Sequence, residues 1–143
     1  MIVIPSREEL TPKPIATGIY KATVTDMKLE KTKETGKDMI VAELTIQTQG
    51  PNPPDMKVIG RKLFDNLVVD EKTMWKVSSF LKACTGRDIV DHFGQGEEMG
   101  IDPFYMKYSN LCINKEVVLV VTTEKYEGND VNRVKEVREV KQE

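Results

Sequence analysis

Apolar and polar positions alternate most clearly along the second quarter of the chain. Ile40, Ala42, Leu44 and Ile46 alternate with Glu43, Thr45 and Gln47, a period of two that predicts a half-buried strand. Ile19 to Leu29 is also strand-like, but its pattern changes face once. Tyr20, Ala22 and Val24 share one parity, whereas Met27 and Leu29 fall on the other. A single switch of this kind is what a β-bulge produces. The polar stretch Glu30 to Asp38, with Gly36 free to take positive φ, joins the two strands into a hairpin with a lysine-rich tip. A third strand of poor alternation is predicted at about Lys57 to Leu67.

Helical spacing follows. Met74, Val77, Leu81 and Cys84 recur at three- and four-residue intervals, and Phe80 widens the stripe. Asp70 as N-cap and Gly86 as C′ glycine bracket a predicted helix. Asp88 to Phe93 reads as one helical turn, Gly94 to Gly100 as a loop, and Asp102-Pro103 as the start of another short helix. Glu116 to Thr123 is apolar on both faces and predicts a buried strand. Glu124 to Asp130 reads as a loop around Gly128. Val131, Val134, Val137 and Val140 then recur every three residues, which fits a helix better than a strand. The segment is nevertheless read as a strand to about Arg138, because the buried strand before it needs a partner.

At the ends of this core, Pro5, Pro12 and Pro14 predict an extended arm over residues 1–17. Gly50, Pro51, Pro53 and Pro54 exclude regular structure between Gln49 and Asp55. The expected order is strand, strand, strand, helix, strand, strand. It matches a mainly β fold, the OB-fold, a five-stranded Greek-key barrel with a helix between strands three and four. One such domain would fill residues 18–143.

Composition adds limits. With 143 residues, 39% hydrophobic and 31% charged, the chain is sized for one globular domain. No stretch approaches the roughly 18 apolar residues of a membrane span. The opening Met1-Ile2-Val3-Ile4-Pro5 has no basic lead-in, so a signal peptide is not expected and a cytoplasmic location is. Cys84 and Cys112 sit in apolar surroundings without CxxC spacing, which reads as two reduced core residues. A formal charge of −2 argues against binding by bulk positive charge but leaves room for a local basic groove.

Three stretches resemble a known family. They are Gly18-Ile19-Tyr20-Lys21-Ala22 leading to Lys31-Thr32-Lys33-Glu34-Thr35-Gly36; the helix ending Phe80-Leu81-Lys82-Ala83-Cys84-Thr85-Gly86; and Val117 to Thr123 followed by Tyr126-Glu127-Gly128-Asn129 and Val131. The chain resembles phage-encoded OB-fold single-stranded DNA-binding proteins of replication modules, a family long labelled a domain of unknown function. The resemblance runs from Gly18 to about Val137, leaving out the arm and Asp88 to Ile113. It implies coating and protection of single-stranded DNA in phage replication or recombination. The implied partners are single-stranded DNA, replication or recombination proteins and further copies of the chain; no membrane is implied. Asn114 stands where the family often has glycine before the fourth strand. The final Glu139-Val140-Lys141-Gln142-Glu143 lacks the acidic character of a partner-recruiting tail.

Capture of a single strand without sequence preference needs cations along the phosphates and aromatic faces for the bases. OB-folds place both on strands two and three and on the loops joining strands one to two and four to five. Lys31, Lys33 and Lys37 crowd the first loop; as a bare charge run they would be only a solvated tip. Lys57, Arg61 and Lys62 form a second cluster on the third strand, followed by Phe64, which faces either core or groove. Lys125 and Tyr126 lie in the second loop, where Tyr126 is read as a stacking face. Tyr20 is assigned to the core, and Trp75 to the contact of helix with barrel. His92 beside Asp91 is too thin for a metal site. Gly94, Gly96 and Gly100 lack the lysine of a phosphate loop and lie beside Glu97 and Glu98. No serine or cysteine has a base in a recognisable context. The expected function is binding without catalysis, cofactor or metal. The rival reading is an OB-fold protein-interaction module that recruits replication proteins.

Overall fold

The computed structural model describes residues 1–4, 6, 17–49 and 59–140. The expected arm over 1–17 therefore falls mostly outside the described residues. Lys57 and the proline-rich stretch lie outside them as well.

The long first strand, β1 (Gly18–Lys31), pairs antiparallel with β2 (Asp38–Gln49) from Tyr20 to Lys31. It pairs on its other side with β4 (Glu116–Tyr126), but only from Gly18 to Thr23. β3 (Lys62–Val68) continues from β2, and β5 (Asn129–Glu139) pairs with β4. The five strands form one antiparallel sheet in the order β3-β2-β1-β4-β5. Its two edge strands come within contact of each other, and α1 (Met74–Thr85) packs against both. The result is mainly β and barrel-like.

The change of face along β1 has the expected cause. Val24 pairs with Leu44 and Asp26 with Glu43, so Thr25 is left without a partner. Tyr20, Ala22 and Val24 are buried before this bulge and Met27 is buried after it. Facing them, Ile40, Ala42, Leu44 and Ile46 of β2 are all buried. The three-residue spacing in β5 also resolves as a strand with a bulge. Val137 pairs with Leu119 and Val134 with Val121, which leaves Lys135 as the extra residue. Two apolar side chains three apart thus meet two that are two apart, a pairing a helix-like period had obscured.

Three expectations are corrected. The third strand starts at Lys62, because Ile59 and Gly60 form a turn with Gly60 at φ +86°. The predicted helix starts at Met74, and Asp70 does not cap it. Asp70 instead accepts a 2.7 Å ion pair from Lys37 at the β1–β2 tip, and Thr73 at the cap position turns its hydroxyl back to the Val68 carbonyl at 2.6 Å. The loop around Gly128 is a two-residue turn. Glu127 and Gly128 have φ of +51° and +82°, the type I′ geometry that matches strand twist, and Lys125 and Tyr126 are paired strand residues.

Two further helices, α2 (Ile89–Phe93) and α3 (Ile101–Cys112), fill the segment between α1 and β4. Asp88 caps the first by accepting from the Asp91 amide at 3.0 Å. The second runs well beyond the short helix expected at Asp102-Pro103. Its buried Tyr108 hydroxyl donates to the Val77 carbonyl of α1, and Tyr105 donates to the Met27 carbonyl of β1, both at 2.7 Å. Asn114 returns the chain to β4 at φ +71°, where its amide donates to the Val24 carbonyl. Cys84 and Cys112 are both free. A hydrogen bond with Cys84 and burial push the Cys112 thiol far up.

Glu127 occupies left-handed space that costs an ordinary side chain about 1–2 kcal/mol and asparagine less. Glu127→Asn should therefore raise stability by about 0.5–1 kcal/mol in denaturant titration; no gain would mean the turn is not type I′. Asp65 is almost wholly buried and pairs with Lys76 at 3.0 Å. Burial raises its carboxyl above the usual range despite that lysine. Its charged form is thus less favourable folded than unfolded, so this group's contribution is best in acid and worsens as pH rises through the folded pKa. Asp65→Asn should raise the melting temperature at pH 7, and the advantage should shrink toward pH 3. A lower melting temperature at pH 7 would instead make the ion pair a net stabiliser.

Candidate nucleic-acid interface

The outward face of β1, β2 and β3 follows from the same alternation that fills the core. Register places side chains in rows across the three strands: Lys62, Thr45 and Thr23 in one, Phe64, Glu43 and Asp26 in the next. The face is rich in hydroxyl and amide groups. Thr25 Oγ1 lies 3.0 Å from Thr45 Oγ1, and Gln47 Nε2 donates to Thr23 Oγ1. Phe64 stands on it 60% exposed, which settles its two open orientations in favour of the outer face.

The cations of this region are mostly engaged. Lys62 pairs with Glu43 at 2.8 Å, and that carboxylate raises the lysine above its ordinary range. Lys31 pairs with Asp38 at 2.9 Å and Lys37 with Asp70 at 2.7 Å. The Lys37 ammonium in turn holds the Asp70 carboxyl below the usual carboxylate range. Lys33 and Lys125 have no ion-pair partner among the described residues. Arg61 is half-buried beside β3, its carbonyl accepting from the Ile46 amide at 2.9 Å. Exposed pairs of this kind contribute little to stability, so their carboxylates matter mainly by lowering the local positive potential.

The two hairpin tips do not meet along the sheet. Lys31, Lys33 and Lys37 lie where β1 ends, next to the start of the α1 segment through Asp70. Tyr126 and Lys125 lie beyond the other end of β1, because Gly18 is the first β1 residue to pair with β4 and does so at Val121. The contour of β1 between its two ends is roughly 45 Å at 3.3–3.4 Å per residue. Tyr126 is 57% exposed and is a paired strand residue opposite Asn129.

One aromatic lies mostly in solvent instead of at the expected contact of helix with barrel. Trp75 is 71% exposed and does not seal the helix against the barrel; Val77, Phe80 and Leu81 do that instead. Its offset of one residue from the Met74 stripe was the available signal. Tyr20 is buried as expected. His92 is engaged structurally, its Nε2 2.8 Å from Thr85 Oγ1.

A comparison with curated proteins gives no match. A family model does match, over residues 7–143. That span covers nearly all of the chain, including the sheet, the three helices and the outer face bearing Phe64. The chain belongs to the family described as "Protein of unknown function (DUF669)".

Proposed function

We propose that this protein is an OB-fold single-stranded DNA-binding protein that coats exposed strands without chemistry, in phage replication or recombination. The strand order β3-β2-β1-β4-β5, with helix between β3 and β4, supports the OB reading because it is the pairing order such a barrel requires. The observation that carries the binding reading is the exposure of Phe64 and Tyr126. The chain has only four Phe, four Tyr and one Trp, and most of these rings are spent on packing. Flat aromatic faces left in solvent, Phe64 on the hydroxyl-rich face of β1–β3 and Tyr126 at the β4–β5 tip, suit bases, which stack for about 1–3 kcal/mol each without regard to sequence.

The ion-paired lysines shape the mechanism. Stacking leads, and phosphate contacts come from Lys33, Lys125 and whichever lysines exchange a carboxylate for a phosphate. The interaction-module reading gains from the same pairing, since it needs no free cations. The two readings part on direct measurement with oligonucleotides.

Phe64→Ala and Tyr126→Ala should each weaken binding to single-stranded oligonucleotides by about 1–3 kcal/mol while leaving the salt slope unchanged. Fluorescence anisotropy over a salt series reads both quantities. Absence of single-strand binding by the wild-type protein would refute the proposal. A second series tests the paired lysines. Asp38→Asn with Asp70→Asn should tighten binding and steepen the slope by about 0.7 for each lysine released to a phosphate. An unchanged slope would remove the β1–β2 tip from the interface.

A further inference from the structure

The packing of α3 along α1 brings the two cysteines of the chain together. The Tyr108 hydroxyl donates to the Val77 carbonyl at 2.7 Å, which sets the two helices in register. Cys84 follows Val77 by two turns and Cys112 follows Tyr108 by one. A helical tyrosine leans back toward the amino-terminal end of its helix, which takes up the remaining turn. Thr85 and Gly86 at the end of α1 line the same cavity as Asn114 and Lys115 just after α3, so the two carboxyl-terminal ends lie side by side. There the Cys84 and Cys112 side chains are hydrogen-bonded to each other, although two helices and a loop separate them along the chain.

The two thiols differ in access. Cys112 is wholly buried, whereas Cys84 is half-buried and lines that cavity of about 1120 Å³. Its walls carry charge of both signs, from Lys115 and Arg138 and from Glu116, Glu136 and Glu139. A small peptide disulfide such as oxidised glutathione also carries both signs. A half-buried thiol by itself would exchange with such a disulfide and stop at the mixed product. A second thiol in hydrogen-bond contact behind it can displace the small molecule again.

We propose that Cys84 and Cys112 form a redox-active dithiol that small peptide disulfides oxidise, with Cys84 reacting first and Cys112 resolving. In the first step the Cys84 thiolate attacks one sulfur of the small disulfide. That S–S bond breaks, and the departing thiolate takes up the proton that Cys84 gave to solvent. In the second step the Cys112 sulfur, its proton lost to solvent, attacks the Cys84 sulfur. The mixed disulfide breaks and a second small thiol leaves protonated. Two protein thiols are oxidised to one disulfide, and one small disulfide is reduced to two thiols. The product bond joins the end of α1 to the turn in which the Asn114 amide and the Lys115 carbonyl bond to Val24. It therefore ties the helical layer to the start of β4, and by closing a loop it lowers the entropy of the unfolded chain.

The test treats the full chain with oxidised glutathione and follows intact mass, peptide mapping and melting temperature. The wild type should lose two hydrogens, yield a Cys84–Cys112 linked peptide and melt higher by roughly 5 °C or more, all reversed by dithiothreitol. Cys112→Ala should stop at one glutathionyl group on Cys84, and Cys84→Ala should take up none, because Cys112 is out of reach. Acid quenching of the wild type at early times gives the same assignment without a substitution: the transient glutathionyl group should map to Cys84. Wild-type thiols that stay reduced overturn the proposal. So do a mixed disulfide that persists, a first adduct on Cys112, and a bond that links two chains instead of one. None of these readouts involves nucleic acid, so the outcome is separate from that of the DNA-binding proposal.

Discussion

The structure depends on one strand being able to serve two halves of a sheet. β1 pairs with β2 from Tyr20 to its end and with β4 only from Gly18 to Thr23, so it must lie in one part of the sheet at its start and bend away by its end. A straight strand keeps one face buried. β1 cannot, because the side it turns to the core changes along its length. The unpaired Thr25 resolves this: one extra residue bends the strand and moves burial from the Tyr20–Ala22–Val24 parity to that of Met27. The same bend gives the edge strands β3 and β5 room to approach, and α1 packs against both.

That bend also orders the rest of the core. Asn114 and Lys115 hydrogen-bond to Val24 just before the bulge, fixing where β4 begins. Tyr105 reaches the Met27 carbonyl just after it, fixing α3. Polar groups are used at these joints because each satisfies a backbone donor or acceptor that bending the strand would otherwise leave unmade.

Most of this was legible wherever one residue's neighbours along the chain decide its place. The face switch in β1 was visible as a parity change, and the β2 core positions as simple alternation. What was not legible depends on neighbours distant in sequence. Asp70 has every local mark of an N-cap, yet Lys37 lies within reach only after the sheet has formed, and the carboxylate goes there. Trp75 sits close to an apolar stripe, but the floor beneath it is already filled by Val77, Phe80 and Leu81. The valines of β5 repeat like a helix because an unpaired residue in the ladder adds one to the period. For the candidate site, the outward positions of Thr45, Gln47 and Phe64 could be read from strand parity once the register was known. The pairing of Lys31, Lys37 and Lys62 with carboxylates could not, because it joins residues from different strands and from the segment before α1.

The end of the β4–β5 hairpin has a consequence for how the protein could vary. Beyond Val121, β4 is paired with β5 but no longer with β1, so among the described residues the last part of both strands runs on past β1 as a two-stranded ribbon roughly 17 Å long, tied back to Thr17 through the Thr123 amide. Such a ribbon adds little to the core and is only marginally stable by itself. Its length is therefore a loosely constrained dimension of the molecule. Inserting one residue pair per strand preserves the inward and outward faces and the closing turn, while carrying Tyr126 about 7 Å further out. Related chains can differ in reach at this point without any change in the barrel that supports it.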